Sequence, residues 1–280
     1  MDKVTRKQKI AFAGLSALGL LTLCLLILII GYIVSQGVHM ISWEFLTSKP
    51  RKMGAEGGIY PAIIGTLYLV AVTMIIAGPI GVGAAIYLNE YTARGKITAT
   101  IRFATEALAG IPSIVFGLFG FAFFVVLLKP VTGGWSILSA ALTGVTMVLP
   151  TIVRTTEEAL KAVPDSLREG SLALGTTKWQ TVKSLILPAA VPGIITGIIL
   201  SIGRVVGETA AFLLTLGGSL LIPTSIMDGS RTLSLHLYMV AMETGSMDVA
   251  FGTAAVLIVL ILIINLSASW FFRRLVRRFS

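Results

Sequence analysis

Six runs of mainly apolar residues, each about as long as a bilayer is thick, dictate what this chain can fold into. They lie near 10–34, 62–88, 104–128, 135–153, 189–216 and 250–272. A spanning helix needs about 20 mainly apolar residues, and it satisfies its own backbone hydrogen bonds, as lipid demands. The runs lack the period-two alternation and the short length of barrel strands. An all-α integral membrane protein with six transmembrane helices follows. The low charge agrees, since 12% of residues are charged against about a quarter in a soluble domain.

Orientation is read from Lys and Arg, which are retained on the cytoplasmic side. With the N-terminus inside, sixteen of the 22 basic residues fall in inner segments: Lys3, Arg6, Lys7, Lys9; Arg94, Lys96, Arg102; Arg154, Lys161, Arg168, Lys178, Lys183; and Arg273, Arg274, Arg277, Arg278. The outer segments hold only Lys49, Arg51, Lys52, Lys129 and Arg231, and Arg204 lies within a span. This predicts a multi-pass protein of the cytoplasmic (inner) membrane with both termini inside. Membrane topology and anionic headgroups account for the net charge of +9, without nucleic acid. The first run exceeds the roughly 7 to 15 apolar residues of a secretory signal, so it reads as a retained anchor. Cys24 is the single cysteine, which precludes an intramolecular disulfide.

The outer segment 35–61 divides the chain into an anchor helix with its outer loop, 1–60, and a core of five helices, 61–280, whose cytoplasmic loop is 154–188. Helix breakers crowd the core: Gly78 with Pro79, Pro112 with Gly117 and Gly120, and Gly193, Gly197, Gly203 and Gly207. Breakers are tolerable in lipid where protein or a water-filled path receives the freed backbone groups. Gly193 with Gly197 and Gly203 with Gly207 also fit close helix packing, the reading favoured for the glycines.

The loop carries signals for two short helices. Ser166 and Glu169 have capping-box spacing after Pro164, and a helix from there ends at Gly175. Thr177 and Gln180 repeat the spacing and open a second helix that runs to Pro188. Such a compact knob suits a groove on a soluble partner. Gly170 to Thr177 mimics a phosphate-binding loop, but Thr176 stands where that loop needs its lysine and no apolar strand precedes it. The chain has no ATPase site of its own. Its order of Glu169, Gly170, Ser171, Gly175, Leu187 and Pro188 resembles the EAA loop of permease subunits in ATP-driven ABC importers. That resemblance implies a type I ABC importer permease fold, with Glu169 at the contact with a nucleotide-binding subunit and Gly175 making the turn. Gly170 and Ser171 replace the two alanines of the family pattern.

Arg204 and Glu208 lie deep in the fifth run, where an ionised side chain costs about 2.5 to 3.5 kcal/mol. Four residues apart, they are expected on one helix face, continued by Gly197, Ser201, Ala211 and Thr215. An arginine fork donates two parallel hydrogen bonds to an oxyanion, with Glu208 steadying it; a structural ion pair is the plainer alternative. The stretch R-V-V-G-E-T-A from Arg204, with G-G-I-Y-P-A-I-I-G-T-L from Gly57, A-G-I-P-S-I-V-F-G-L-F-G from Ala109 and L-P-T-I-V-R-T-T-E-E-A-L from Leu149, resembles the PstA-type permeases of phosphate importers. The resemblance implies phosphate passage at Arg204 and Glu208, with Arg154 as a second arginine linked to transport, although positive-inside anchoring accounts for Arg154 almost as well. It further implies a PstC-type permease, two PstB-type ATP-binding subunits and an external phosphate-binding protein as partners.

Arg231 and His236 read as members of a solvated outer loop, and Glu106 as a local partner of Arg102. His39 and His236 lack ligand spacing, so neither a metal nor a cofactor is expected. The rival readings are a permease for another oxyanion, molybdate or sulfate, and an ion-coupled secondary transporter.

Overall fold

The computed structural model describes residues 2–92 and 95–276, with side chains from residue 8 onward except those of 273, 275 and 276. Arg94, Arg277 and Arg278 of the inner basic set lie outside the described residues, as do the side chains of Lys3, Arg6, Lys7 and Arg273. The main helices are α1 (Gln8–Met40), α2 (Tyr60–Tyr91), a bent pair α3 (Lys96–Ala109) and α4 (Ser113–Leu127), and α5 (Ile137–Lys161). They continue as α6 (Asp165–Ala173), α7 (Lys178–Gly207), α8 (Ala210–Thr215), α9 (Leu233–Met239) and α10 (Met247–Phe272). Helices α1, α2, α5, α7 and α10 are each long and apolar enough to span a membrane, and the bent pair gives a sixth span if it is counted as one.

Three of the expected spans are redrawn. The run 104–128 is not straight, because the chain bends by 102° between α3 and α4. The bend falls at Pro112, which has no N–H to donate and whose ring crowds the preceding turn. The run 135–153 continues as helix α5 to Lys161, so the first eight residues of the expected loop 154–188 are helical. The run 189–216 starts earlier and stops sooner. Its helix α7 begins at Lys178, passes through Pro188 instead of ending there, and terminates at Gly207. Ahead of the proline the backbone widens into a π-helix over Val182–Ile186, a bulge that absorbs the break a proline makes in the hydrogen-bond ladder.

Helix α5 is the centre of the bundle. Its Ala140, Ala141, Val148 and Ile152 are fully buried, packed among Leu69 and Ala77 of α2, Val205 of α7 and Phe212 of α8. Two-thirds of the apolar stretch of α5 is buried within the chain, whereas none of that of α1 is, so α1 is the span least covered by the rest of the chain. Buried hydroxyls bond back one turn, as Thr66 does to the carbonyl of Ala62 at 2.7 Å, Thr143 to that of Ser139 at 2.9 Å and Thr253 to that of Val249 at 2.7 Å. This satisfies them without water. Segment 41–59 is anchored to the core, where Phe45 and Ile59 join Leu233, Val240 and Val249. It carries a short antiparallel pairing of Pro50–Arg51 with Glu56–Gly57.

The glycine pairs of α7 divide. A Cβ at Gly193 would strike Ala159, and one at Gly197 would strike Thr155, so both serve close packing on α5. At Gly203 and Gly207 it would meet nothing, and that face of α7 is open.

Candidate functional site

The break after α7 is the first element of the site. Glu208, at φ −76° and ψ 133°, is extended, and helix resumes only at Ala210. A break inside a membrane exposes backbone groups that lipid cannot satisfy. Here the Glu208 carbonyl accepts the hydroxyl of Ser234 at 2.7 Å, and its carboxylate Oε1 accepts the N–H of Ala211 at 3.1 Å, capping α8. The expected pairing of Arg204 with Glu208 on one helix face is therefore not formed, because Glu208 has left the helix. The small and polar stripe is divided as well, with Gly197 and Ser201 on α7 and Ala211 and Thr215 on α8. Arg204 is half-buried and makes no ion pair among the described residues. It shares the open side of α7 with Gly203, Gly207 and the 57%-exposed Leu200. Five guanidinium donors with no carboxylate in competition suit an oxyanion.

The second element is the knob of α6 and the start of α7. Helix α6 begins at Asp165 behind Pro164, with no side-chain cap. Ser166 thus lies inside the first turn, and the Ser166 and Glu169 capping box is not made. Gly175 makes the turn, at φ +83°, in the left-handed region that glycine enters without penalty. The Thr177 box does form: Gln180 N–H donates to the Thr177 hydroxyl at 3.3 Å, and Thr177 N–H donates to Gln180 Oε1 at 2.8 Å. Ser171, where the EAA pattern has alanine, lies 2.8 Å from the Thr176 hydroxyl and 3.0 Å from that of Thr181, which are themselves 3.0 Å apart. This hydroxyl triangle locks the two helices together. Glu169 and Gly170 are exposed, and Leu187 and Pro188 are half-buried within α7. Around them, Leu174 is 86% and Trp179 59% exposed. Large apolar side chains bared on a polar loop mark an interaction surface.

One residue at this knob carries more than its charge announced. Arg168 Nη1 donates to the Val163 carbonyl at 2.7 Å and to Asp165 Oδ1 at 2.9 Å, while Nη2 donates to the Leu160 carbonyl at 2.7 Å and to Glu90 Oε1 at 3.0 Å. Glu90 is 78 positions away, and no spacing in the sequence could link the two.

Arg154 is elsewhere, on α5, where its Nε donates to Glu158 Oε1 at 3.1 Å in an exposed pair. It lines a cavity of about 340 Å³ with Arg102, Lys161, Glu106, Glu157 and Glu158. Three cations and three carboxylates leave that cavity formally neutral. Arg102 is paired with Glu157 at 3.2 Å and not with Glu106, because α5, packed beside α3, presents its Glu157 carboxylate to it.

Arg231 and His236 are not solvated but buried, at 5% and 1% exposure, because the chain after α8 folds back into the core before α9. Arg231 Nε donates to the Gly218 carbonyl at 3.1 Å, and its Nη1 and both ring nitrogens of His236 are without a hydrogen-bond partner among the described residues. Burial lowers the guanidinium of Arg231, with Glu243 opposing. Burial and then the charge of Arg231 push His236 down to about 4. Among the described residues no group of three His, Cys, Asp or Glu side chains could hold a metal ion.

The family model described as binding-protein-dependent transport system inner membrane component matches residues 77–280. The chain is 38% identical to a probable ABC transporter permease protein, YqgI, of Bacillus subtilis, across 96% of this chain and 95% of that one. It is 40% identical to the phosphate transport system permease protein PstA 1 of Mycobacterium tuberculosis, across 76% and 70% of the two chains. Identity to the PstA protein of Mycobacterium leprae is 37%, across 90% and 84%. Among solved structures, a bacterial alginate ABC transporter superposes with a TM-score of 0.69 over 96% of this chain and 97% of that chain, at 17% identity. The inward-facing methionine transporter MetNI superposes at 0.56 over 80% and 94%, at 21% identity. These two likenesses are of fold.

Proposed function

The chain belongs to the binding-protein-dependent transport system inner membrane components, and from that premise we propose that it is the PstA-type permease subunit of an ATP-driven importer of inorganic phosphate. Its fold is that of the type I ABC importer permeases. The observation that carries the substrate class is Arg204: a half-buried guanidinium with no ion pair among the described residues, on the open side of a broken membrane helix. Phosphate is chosen over molybdate or sulfate because relatives at 37% and 40% identity are phosphate transport permeases.

The remaining parts follow this reading. The basic end of the bundle faces the cytoplasm, with both termini and the knob on that side. Residues 1–60 form the anchor and outer loop, and 61–280 the permease core. The exposed knob, with Glu169, Gly170, Ser171 and Gly175 at its surface and Leu187 and Pro188 carrying it into the span, docks on PstB-type ATP-binding subunits, two per importer, which hydrolyse the ATP. The open side of α7 meets a PstC-type permease, since Gly203 and Gly207 admit a close helix neighbour. An external phosphate-binding protein delivers the solute. Glu208 shapes the broken helix beside the arginine, and Arg154, already paired with Glu158, is a secondary contact on the way in.

The test is reconstitution of the full importer in proteoliposomes with radiolabelled phosphate. Uptake is expected to require ATP and to resist excess sulfate and molybdate. Uptake of those ions in place of phosphate would establish the other oxyanion reading, and ATP-independent uptake would establish a secondary transporter.

A further inference from the structure

Resting on the reading that the knob docks on an ATPase, we propose that Arg168 is the positioning residue that fixes the coupling helix to the transmembrane bundle, so that motion of the ATPase is delivered to the spans and not lost in the loop. The guanidinium holds three pieces of chain at once. Glu90 closes α2, and its Oε1 receives both Arg168 Nη2 at 3.0 Å and Asn89 Nδ2 at 2.9 Å. The Leu160 carbonyl belongs to the last turn of α5 and that of Val163 to the linker just beyond it, each receiving Arg168 at 2.7 Å. Asp165 opens α6 itself, at 2.9 Å.

The geometry favours a clasp over a surface ion pair. The side chain of Arg168 is 18% exposed and that of Glu90 7%, so the pair is screened little by salt. The carbonyls at a helix end have no partner inside the helix, and the helix end favours a cation. Only a planar fork reaches four acceptors in different directions, whereas an ammonium is a point donor on a flexible stem. Between α5 and α6 lie only Ala162, Val163 and Pro164, a linker around which α6 would otherwise swing. The docking side chains Leu172, Leu174 and Trp179 lie farther along the knob and are exposed, which leaves them to the partner while Arg168 faces inward.

The experiment uses the assembled importer with Arg168→Gln, Arg168→Lys and Glu90→Gln, measuring ATPase subunit retention, ATP hydrolysis and phosphate taken up per ATP. The expected result is retention and hydrolysis near wild type, with uptake per ATP falling about tenfold in Arg168→Gln and less in Arg168→Lys and Glu90→Gln. An unchanged ratio in Arg168→Gln would overturn the proposal. If that variant does not assemble, Glu90→Cys with Arg168→Cys, in a Cys24→Ser background, is bridged by a bis-maleimide cross-linker long enough to span the gap that the arginine and glutamate side chains fill. Recovery of uptake per ATP on cross-linking supports positioning; failure of the cross-linked protein to assemble makes Arg168 a folding residue and overturns it. Failure of the permease reading is distinct, because wild type itself would then neither retain an ATPase nor transport phosphate.

Discussion

The carboxylate of Glu208 accepts the backbone N–H of Ala211 at 3.1 Å, and this single bond separates the roles of two charged residues that share a stretch of sequence. Glu208 is spent on the backbone, and Arg204 has no ion pair among the described residues.

The two should therefore respond differently to mutation. Arg204→Gln is expected to abolish phosphate uptake, and Arg204→Lys to lower it about tenfold to a hundredfold, the loss of one charge-assisted hydrogen bond of about 1.5 to 3 kcal/mol. Glu208→Gln keeps an amide oxygen for the Ala211 N–H and should transport nearly normally, while Glu208→Ala loses a cap worth about 1 kcal/mol. In a double-mutant cycle scored by complex stability the two sites should add to within about 0.5 kcal/mol. A larger coupling would show that they pair in the membrane.

Gly175→Val should uncouple the importer. A β-branched residue at φ +83° carries about 1 to 2 kcal/mol of strain, which redirects the start of α7 while leaving the spans inserted. Membrane insertion should match wild type while uptake per ATP drops at least about tenfold; Gly175→Asn, tolerant of the left-handed region, should drop less. Full transport in Gly175→Val would remove the turn from the coupling mechanism.

Leu174→Asp and Trp179→Ala should release the ATPase subunit. Both side chains are exposed on the knob, and buried aromatic and aliphatic anchors dominate interface energies, with losses of about 2 kcal/mol or more on truncation. Co-purification of the ATP-binding subunit measures it, with the thermal stability of the isolated permease as the control that should not move.

His236 sets a pH limit on the folded-back segment. Its pKa falls from an unfolded value of about 6.5 to about 4 in the fold. From pH 6.5 downward the opened segment takes a proton that the packed one refuses, so packing weakens progressively, by about 3 kcal/mol once both forms are protonated below pH 4. Above pH 7 the residue is neutral in both states and contributes no slope. Hydrogen exchange over 230–240 should quicken between pH 7 and 5 relative to its intrinsic rate, and His236→Gln should flatten that trend. Protection that rises toward acid would contradict the burial.

Much of this architecture is legible as apolar length, and the turn at Gly175 and the Thr177 cap follow from local chemistry alone. What could not be read lies where tertiary contacts override a local pattern. Arg204 and Glu208 have ideal helical spacing, and the Ser234 hydroxyl, received from 26 positions away, helps to make an extended Glu208 tolerable. Pro188 looks like a stop and is passed by a widened turn. The polar loop of Arg231 and His236 gives no hint that it returns to the core, and Arg168 meets Glu90 only because α2 and α5 end side by side.

Helix α7 runs for 30 residues from the Thr177 cap, through its π-helical bulge, to Gly207, about 45 Å at 1.5 Å per residue. It is a lever arm whose short end sits in the knob and whose tip carries Arg204. A tilt of about 5° at the knob sweeps that tip by roughly 4 Å, more than the reach of a hydrogen bond. On the proposed reading, the arginine's grip on an anion and the angular stroke of the ATPase would be one mechanical coordinate, and release of the solute would need no separate signal.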